Sequence, residues 1–81
     1  MDKRLFHNHA LFKTAPGWEL YRSLHLGTRG PAGSEYIAIR LSDNKQFDFS
    51  SQKRMKIWFG EAGFKYPKWV PTTEWNEIMY G

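Results

Sequence analysis

The sequence predicts an α+β domain, a three-stranded antiparallel meander covered by a helix, with elements in the order α-β-β-β-α-α. Three observations carry this. Ile37, Ile39 and Leu41, then Phe47 and Phe49, alternate with polar residues on either side of the turn-forming run Ser42-Asp43-Asn44-Lys45, which is the period of a strand with one apolar face. Met55, Trp58, Phe59 and Ala62 recur at i, i+3, i+4 and i+7, the stripe of an amphipathic helix able to cover such a face. Aromatic residues make up 17% of the 81-residue chain, and large rings let a chain near the lower size limit for one domain build a core.

The elements follow in order. Lys3 to Lys13 reads as a short helix, with Leu5, His9 and Phe12 on one face and Asp2 as N-cap, although the same residues also alternate tolerably as a strand. Ala15-Pro16-Gly17 breaks the chain into a turn. Trp18, Leu20, Leu24 and Leu26 sit at even positions, interrupted by Arg22, and predict a strand over 18–26. The glycines at 27, 30 and 33 mark a flexible loop, and a second strand is expected over 34–42. Asp and Asn tolerate left-handed backbone, which suits the turn before a third strand at about 45–50. The helix that follows is capped by Ser50 or Ser51 and ended by Gly63. Gly60 inside it, and Lys53 and Arg54 against the helix dipole, oppose that reading. A strand through Met55, Ile57 and Phe59 is its rival for 51–60. Phe64 to Pro71, with two prolines, reads as an extended connector, and Thr72 or Thr73 caps a last short helix carrying Trp75, Ile78 and Met79.

Composition removes several classes of function. The absence of cysteine excludes disulfides and thiolate-bound structural zinc. His7 and His9 alternate as two metal ligands on a strand could, but no further ligands stand at a recognisable spacing, so no metal or cofactor is expected. No phosphate-binding glycine loop is present. Ser23 and His25 share a strand face, and Glu74 and Glu77 share a helix, but neither pair makes a recognisable catalytic set. A non-enzymatic protein follows. The apolar runs, such as Ile57 to Phe59, are far too short to span a bilayer. With no signal peptide evident, the expected location is the cytoplasm of the producing or host cell.

Charge distribution is more informative than the net +4. Residues 1–13 carry +2, 14–50 are neutral, 51–70 carry +4 and 71–81 carry −2. In 51–70, Lys53, Arg54, Lys56, Lys65 and Lys68 interleave with Trp58, Phe59, Phe64, Tyr66 and Trp69. Bases neutralise phosphates and rings stack on exposed nucleobases, so this interleaving points to a nucleic-acid surface. If Trp58 and Phe59 belong to the core, Tyr66 and Trp69 are the rings left to stack, and Arg29 on the loop adds a contact. The alternative is a small inhibitor or adaptor, such as a phage- or mobile-element-type inhibitor of a host defence or transcription enzyme. Aromatic residues and Arg dominate binding hot spots, and a basic surface suits an acidic or nucleic-acid-binding protein. Homodimerisation is one way for so short a chain to bury more area.

The predicted order resembles that of double-stranded-RNA-binding domains over about residues 3–64. Gly30-Pro31-Ala32 is similar to that family's Gly-Pro-x-His loop, with Gly33 where the His belongs. Ser51, Lys53 and Lys56 match its Ser-Lys-Lys-x-Ala-Lys helix start, whereas Gln52 and Met55 depart from it. The resemblance implies shape-based duplex RNA binding, with Lys53 and Lys56 on the phosphate backbone.

Overall fold

The protein is described from a computed structural model, in which residues 9–24 and 35–81 are placed. Its elements are β1 (His9–Ala15), β2 (Trp18–Ser23), β3 (Tyr36–Arg40), β4 (Lys45–Phe49), α1 (Gln52–Glu61), β5 (Val70–Pro71) and α2 (Glu74–Tyr80). They form a five-stranded antiparallel sheet in the order β4-β3-β2-β1-β5, with two helices. This corrects the expected three-stranded meander and its α-β-β-β-α-α order. The helix expected over 3–13 is a strand from His9 onward, and its first residues lie outside the described range. With it goes the topological basis of the resemblance to double-stranded-RNA-binding domains.

The misreading has a physical cause. Strand β1 carries a bulge between Leu11 and Lys13, so its pairing shifts by one residue against β2. A bulge sets two residues against one and breaks the alternation of faces. Lys13 pairs with Leu20, and the Phe12 ring lies 6.2 Å from Tyr36 and 5.2 Å from Trp75, over the same side of the sheet. The period-two signal is therefore lost in the middle of the strand. The turn that joins β1 to β2 fits its residues: Pro16 pre-sets the first corner, and Gly17, at φ +82°, takes the left-handed second corner. Strand β5 has two residues, too few for any periodicity, and its Pro71 is tolerable because the strand is an edge.

Strands β2 and β3 are shorter than the expected 18–26 and 34–42. The single apolar face expected through Ile37, Ile39, Phe47 and Phe49 is not formed. Ile37 pairs with Asp48 and lies with Ile39 on the side away from α1, whereas Phe49 shares the α1 side with Tyr36 and Ala38. The predicted glycine loop lies in the undescribed range 25–34. Asn44 is left-handed at φ 58°, as the β3–β4 turn requires.

One side of the sheet holds Leu20, Tyr36, Ala38 and Phe49, packed with Met55 and Phe59 of α1. The other holds a smaller cluster of Tyr21, Ile37 and Ile39 with Leu11. The helix reading of 51–60 is the one realised. The Ser51 hydroxyl accepts from the Arg54 N–H at 3.2 Å. At the other end Gly63, at φ +80°, donates to the Gly60 carbonyl, and Phe64 N–H donates to the Phe59 carbonyl at 3.0 Å. That pair of bonds is a Schellman motif. Its usual apolar contact is present too, with the Phe59 and Phe64 rings 6.5 Å apart.

Phe59 is fully buried and meets Trp18, Trp58, Tyr66 and Trp69 edge-on at 4.9, 5.0, 5.6 and 6.5 Å. Helix α2 is fastened separately. Trp75 is 2% exposed, and its Nε1–H donates to the Ser23 carbonyl at 2.9 Å. Around the bulge, Thr72 N–H donates to the Phe12 carbonyl and the Thr72 hydroxyl to the Leu11 carbonyl, while Leu11 N–H donates to Glu74. The C-terminal segment thus takes up backbone groups that the interrupted ladder leaves over.

Phe59→Ala is expected to cost about 3–5 kcal/mol, a large part of the stability of a domain this size, with Phe59→Leu milder. Urea unfolding midpoints at constant m check this. Trp75→Phe keeps an aromatic ring but removes the Nε1–H that donates to the Ser23 carbonyl; a loss of about 0.5–1.5 kcal/mol from that bond is expected in the same assay.

Candidate nucleic-acid interface

The basic segment divides once it is folded. Met55 and Phe59 define the side of α1 that faces the sheet. Each residue turns the helix by about 100°, so Lys56 and Arg54 flank that line on opposite sides. Lys56 lies on the flank of Tyr66, with its Nζ 5.8 Å from the Tyr66 ring. Lys53, one turn earlier, follows it on the outer surface, while Arg54 falls with Glu61 on the far flank, beside Trp58. The segment's one acid is thereby kept away from Lys56.

In the connector after α1, Lys65 and Lys68 are exposed while Tyr66, Pro67 and Trp69 turn inward. Lys65, Tyr66, Pro67 and Lys68, with Pro16 and Trp18 from the β1–β2 hairpin, line an open cleft of about 260 Å³. Lys56, Lys65 and Lys68 therefore gather around Tyr66. None of Lys53, Arg54, Lys56, Lys65 and Lys68 forms an ion pair with a carboxylate among the described residues, where the ion pairs are Arg22–Glu35 and Arg40–Asp43.

The two rings expected to stack are placed differently. Tyr66 and Trp69 are half-buried with their edges against Phe59, and both Tyr66 Oη and Trp69 Nε1 are enclosed without a hydrogen-bond partner. Tyr66 reaches the cleft as part of its wall, and Trp69 does not line it. The ring left most open in this region is Phe64, 40% exposed, held 6.2 Å from Trp18 and 5.8 Å from Trp58. Arg29 lies outside the described residues.

Register adds bases that lie outside the +4 segment. Trp18 pairs with Arg40, and Arg40 with Lys45, so the three stand in one cross-strand row at the end of the sheet. The Arg40 guanidinium lies 5.4 Å from the Phe47 ring and 5.8 Å from the Phe64 ring, and Lys45 Nζ lies 5.8 Å from Phe47. Asp43 holds Arg40 in place through two bonds of 3.0 and 2.8 Å. Arg40 and Lys45 flank the hairpin turn and could have been matched from sequence; the Trp18–Arg40 pairing spans a long connection and could not.

A second half-buried cation sits further along the same side. Arg22 stacks over Trp75, Phe12 and Tyr36 at 4.4, 4.9 and 5.6 Å and pairs with Glu35 at 3.5 Å. Burial pushes the Tyr36 hydroxyl above its ordinary pKa, against the opposing pull of Arg22. This group is structural, tying β2 and β3 to α2.

Other candidate chemistry is dispersed. Ser23 is buried, whereas its expected partner His25, and His7, lie outside the described residues. Among the described residues no three His, Asp or Glu side chains converge as a metal site, and no helix is long and apolar enough to cross a membrane. Comparison with protein families, with curated proteins and with solved structures finds no match to this chain.

The Arg40 contact draws the Asp43 carboxyl down to about 2 from its ordinary 3.8. A lowered carboxyl stabilises the fold above its unfolded-state value and ceases to do so as pH falls through its folded value. The Asp43 carboxyl carbon is expected to titrate near pH 2 by NMR, returning to about 4 in Arg40→Gln.

Proposed function

We propose that this chain is a non-enzymatic nucleic-acid-binding module whose contact surface is the lysine cluster around Tyr66 and the Trp18 cleft. The observation that carries the reading is an aromatic-walled cleft lined by Lys65 and Lys68, with Lys56 5.8 Å from the ring of its Tyr66, Lys53 on the same flank of α1 and Glu61 on the other. Ammonium groups with no carboxylate to neutralise them keep their field for a polyanion, and releasing the polyanion's counterions drives binding. Arg54, on the other flank of α1, contributes only a long-range field.

A second reading, as an inhibitor or adaptor of another protein, draws on a separate surface. Val70, Ile78 and Tyr80 are 59%, 56% and 73% exposed, beside the acidic Glu74 and Glu77. Exposed apolar and aromatic side chains are the usual anchors of protein interfaces. Retention on an immobilised host protein after nuclease treatment favours this reading, and loss of retention after nuclease favours the first.

Salt titration tests the first reading. Affinity should fall as salt rises, and Lys56→Ala, Lys65→Ala and Lys68→Ala should each reduce the slope of log K against log salt by about 0.7–0.9. Arg54→Ala should change it less. An affinity indifferent to salt refutes phosphate contact.

A further inference from the structure

We infer that the ligand of this surface is a single-stranded polynucleotide, with one base stacked on Phe64 and an adjacent base inserted in the Trp18–Tyr66 cleft. This rests on the nucleic-acid reading above and specifies its substrate class. Two observations outside the lysine cluster favour it.

The first is the exposure of Phe64. Its backbone is fixed by the Schellman bond to Phe59, and its ring is braced by Trp18, Trp58 and the Arg40 guanidinium, yet it stays 40% exposed. A rigid, partly open ring is a stacking platform whose ordering entropy is already spent on folding. The base pairs of a duplex present their faces to one another, so only an unpaired base can use it.

The second is the shape of the cleft. At about 260 Å³ it falls just below the roughly 300–1,000 Å³ of sites for drug-sized ligands. It is large enough for a flat ring. Its walls are Trp18, Tyr66, Pro16 and Pro67, and its charged rim is Lys65 and Lys68. A nucleobase that enters brings its flanking phosphates to those two ammonium groups. Phe64 directly precedes Lys65 in the chain and shares Trp18 as a neighbour, so platform and cleft adjoin. Lys45, in register with Arg40, extends the positive track along the sheet end beyond Phe64. Lys56 extends it past Tyr66 in the other direction.

The test is fluorescence titration of the intact protein with one oligonucleotide sequence as single-stranded DNA, single-stranded RNA, duplex, and single strands carrying one abasic position, with inorganic polyphosphate as a base-free polyanion. Tighter binding of a single strand than of duplex, by about tenfold or more, with tryptophan quenching and a loss of about tenfold at one abasic position, supports the inference. The DNA and RNA arms tell which sugar is preferred. Phe64→Leu keeps the apolar contact with Phe59 and should lower single-strand affinity while leaving polyphosphate affinity unchanged. Should this variant not fold, the abasic series on the unaltered protein still decides. Equal, salt-dependent affinity for single strand, duplex and polyphosphate overturns the inference and leaves polyanion binding standing. Absence of salt-dependent binding to any of them overturns both.

Discussion

The edge-to-face packing of Phe59 among its neighbouring rings is the interaction on which the rest of the structure depends. It brings together rings from a strand, a helix and the connector: Trp18, Trp58, Phe64, Tyr66 and Trp69. A domain of this length lacks the volume for an extensive aliphatic core. Aromatic pairs bury large areas and add directional energy of about 0.5–1.5 kcal/mol each. The same packing orients the surface. Tyr66 and Trp69 turn inward to pack against Phe59, and this leaves the neighbouring Lys65 and Lys68 outward.

A second constraint closes the other end of the sheet. The bulge in β1 brings Phe12 over the same side as Leu20, and the backbone groups beside it are taken by Thr72 and Glu74. Trp75 then completes a stack in which Arg22 is held among three rings. The C-terminal segment is thus part of the sheet's hydrogen-bond accounting. The basic cleft lies at the opposite, hairpin end of β2, where Trp18 rather than Arg22 occupies the strand. One strand therefore carries a half-buried, ion-paired cation at one end and an open aromatic site at the other.

Charge is sorted by helix geometry as much as by composition. Five bases in one segment look equivalent along the chain, but successive residues on a helix point about 100° apart. Lys56 joins the connector lysines, whereas Arg54 is carried to the flank of Glu61. The cross-strand row through Trp18, Arg40 and Lys45 recruits cations from a stretch whose net charge is zero. Its acid, Asp43, is spent on fixing Arg40, while Lys45 remains beside Phe47.

Much of this architecture follows from local rules that the residues obey wherever they are. The Phe47/Phe49 alternation, the left-handed Asn44 turn, the Ser51 cap and the Gly63 terminus are each decided within a few residues, by sterics and nearby hydrogen bonds. So is the concentration of positive charge in 51–70. Tertiary structure alone decided the rest. His9–Ala15 is a strand because β2 supplies its ladder and Thr72 accommodates its bulge, partners that lie nearby and far along the chain respectively. Val70–Pro71 is a strand only by virtue of what it lies beside. Which rings meet solvent was equally beyond local pattern: Tyr66 and Phe64 are both aromatic residues next to a lysine, and only the position of Phe59 makes one a wall and leaves the other open.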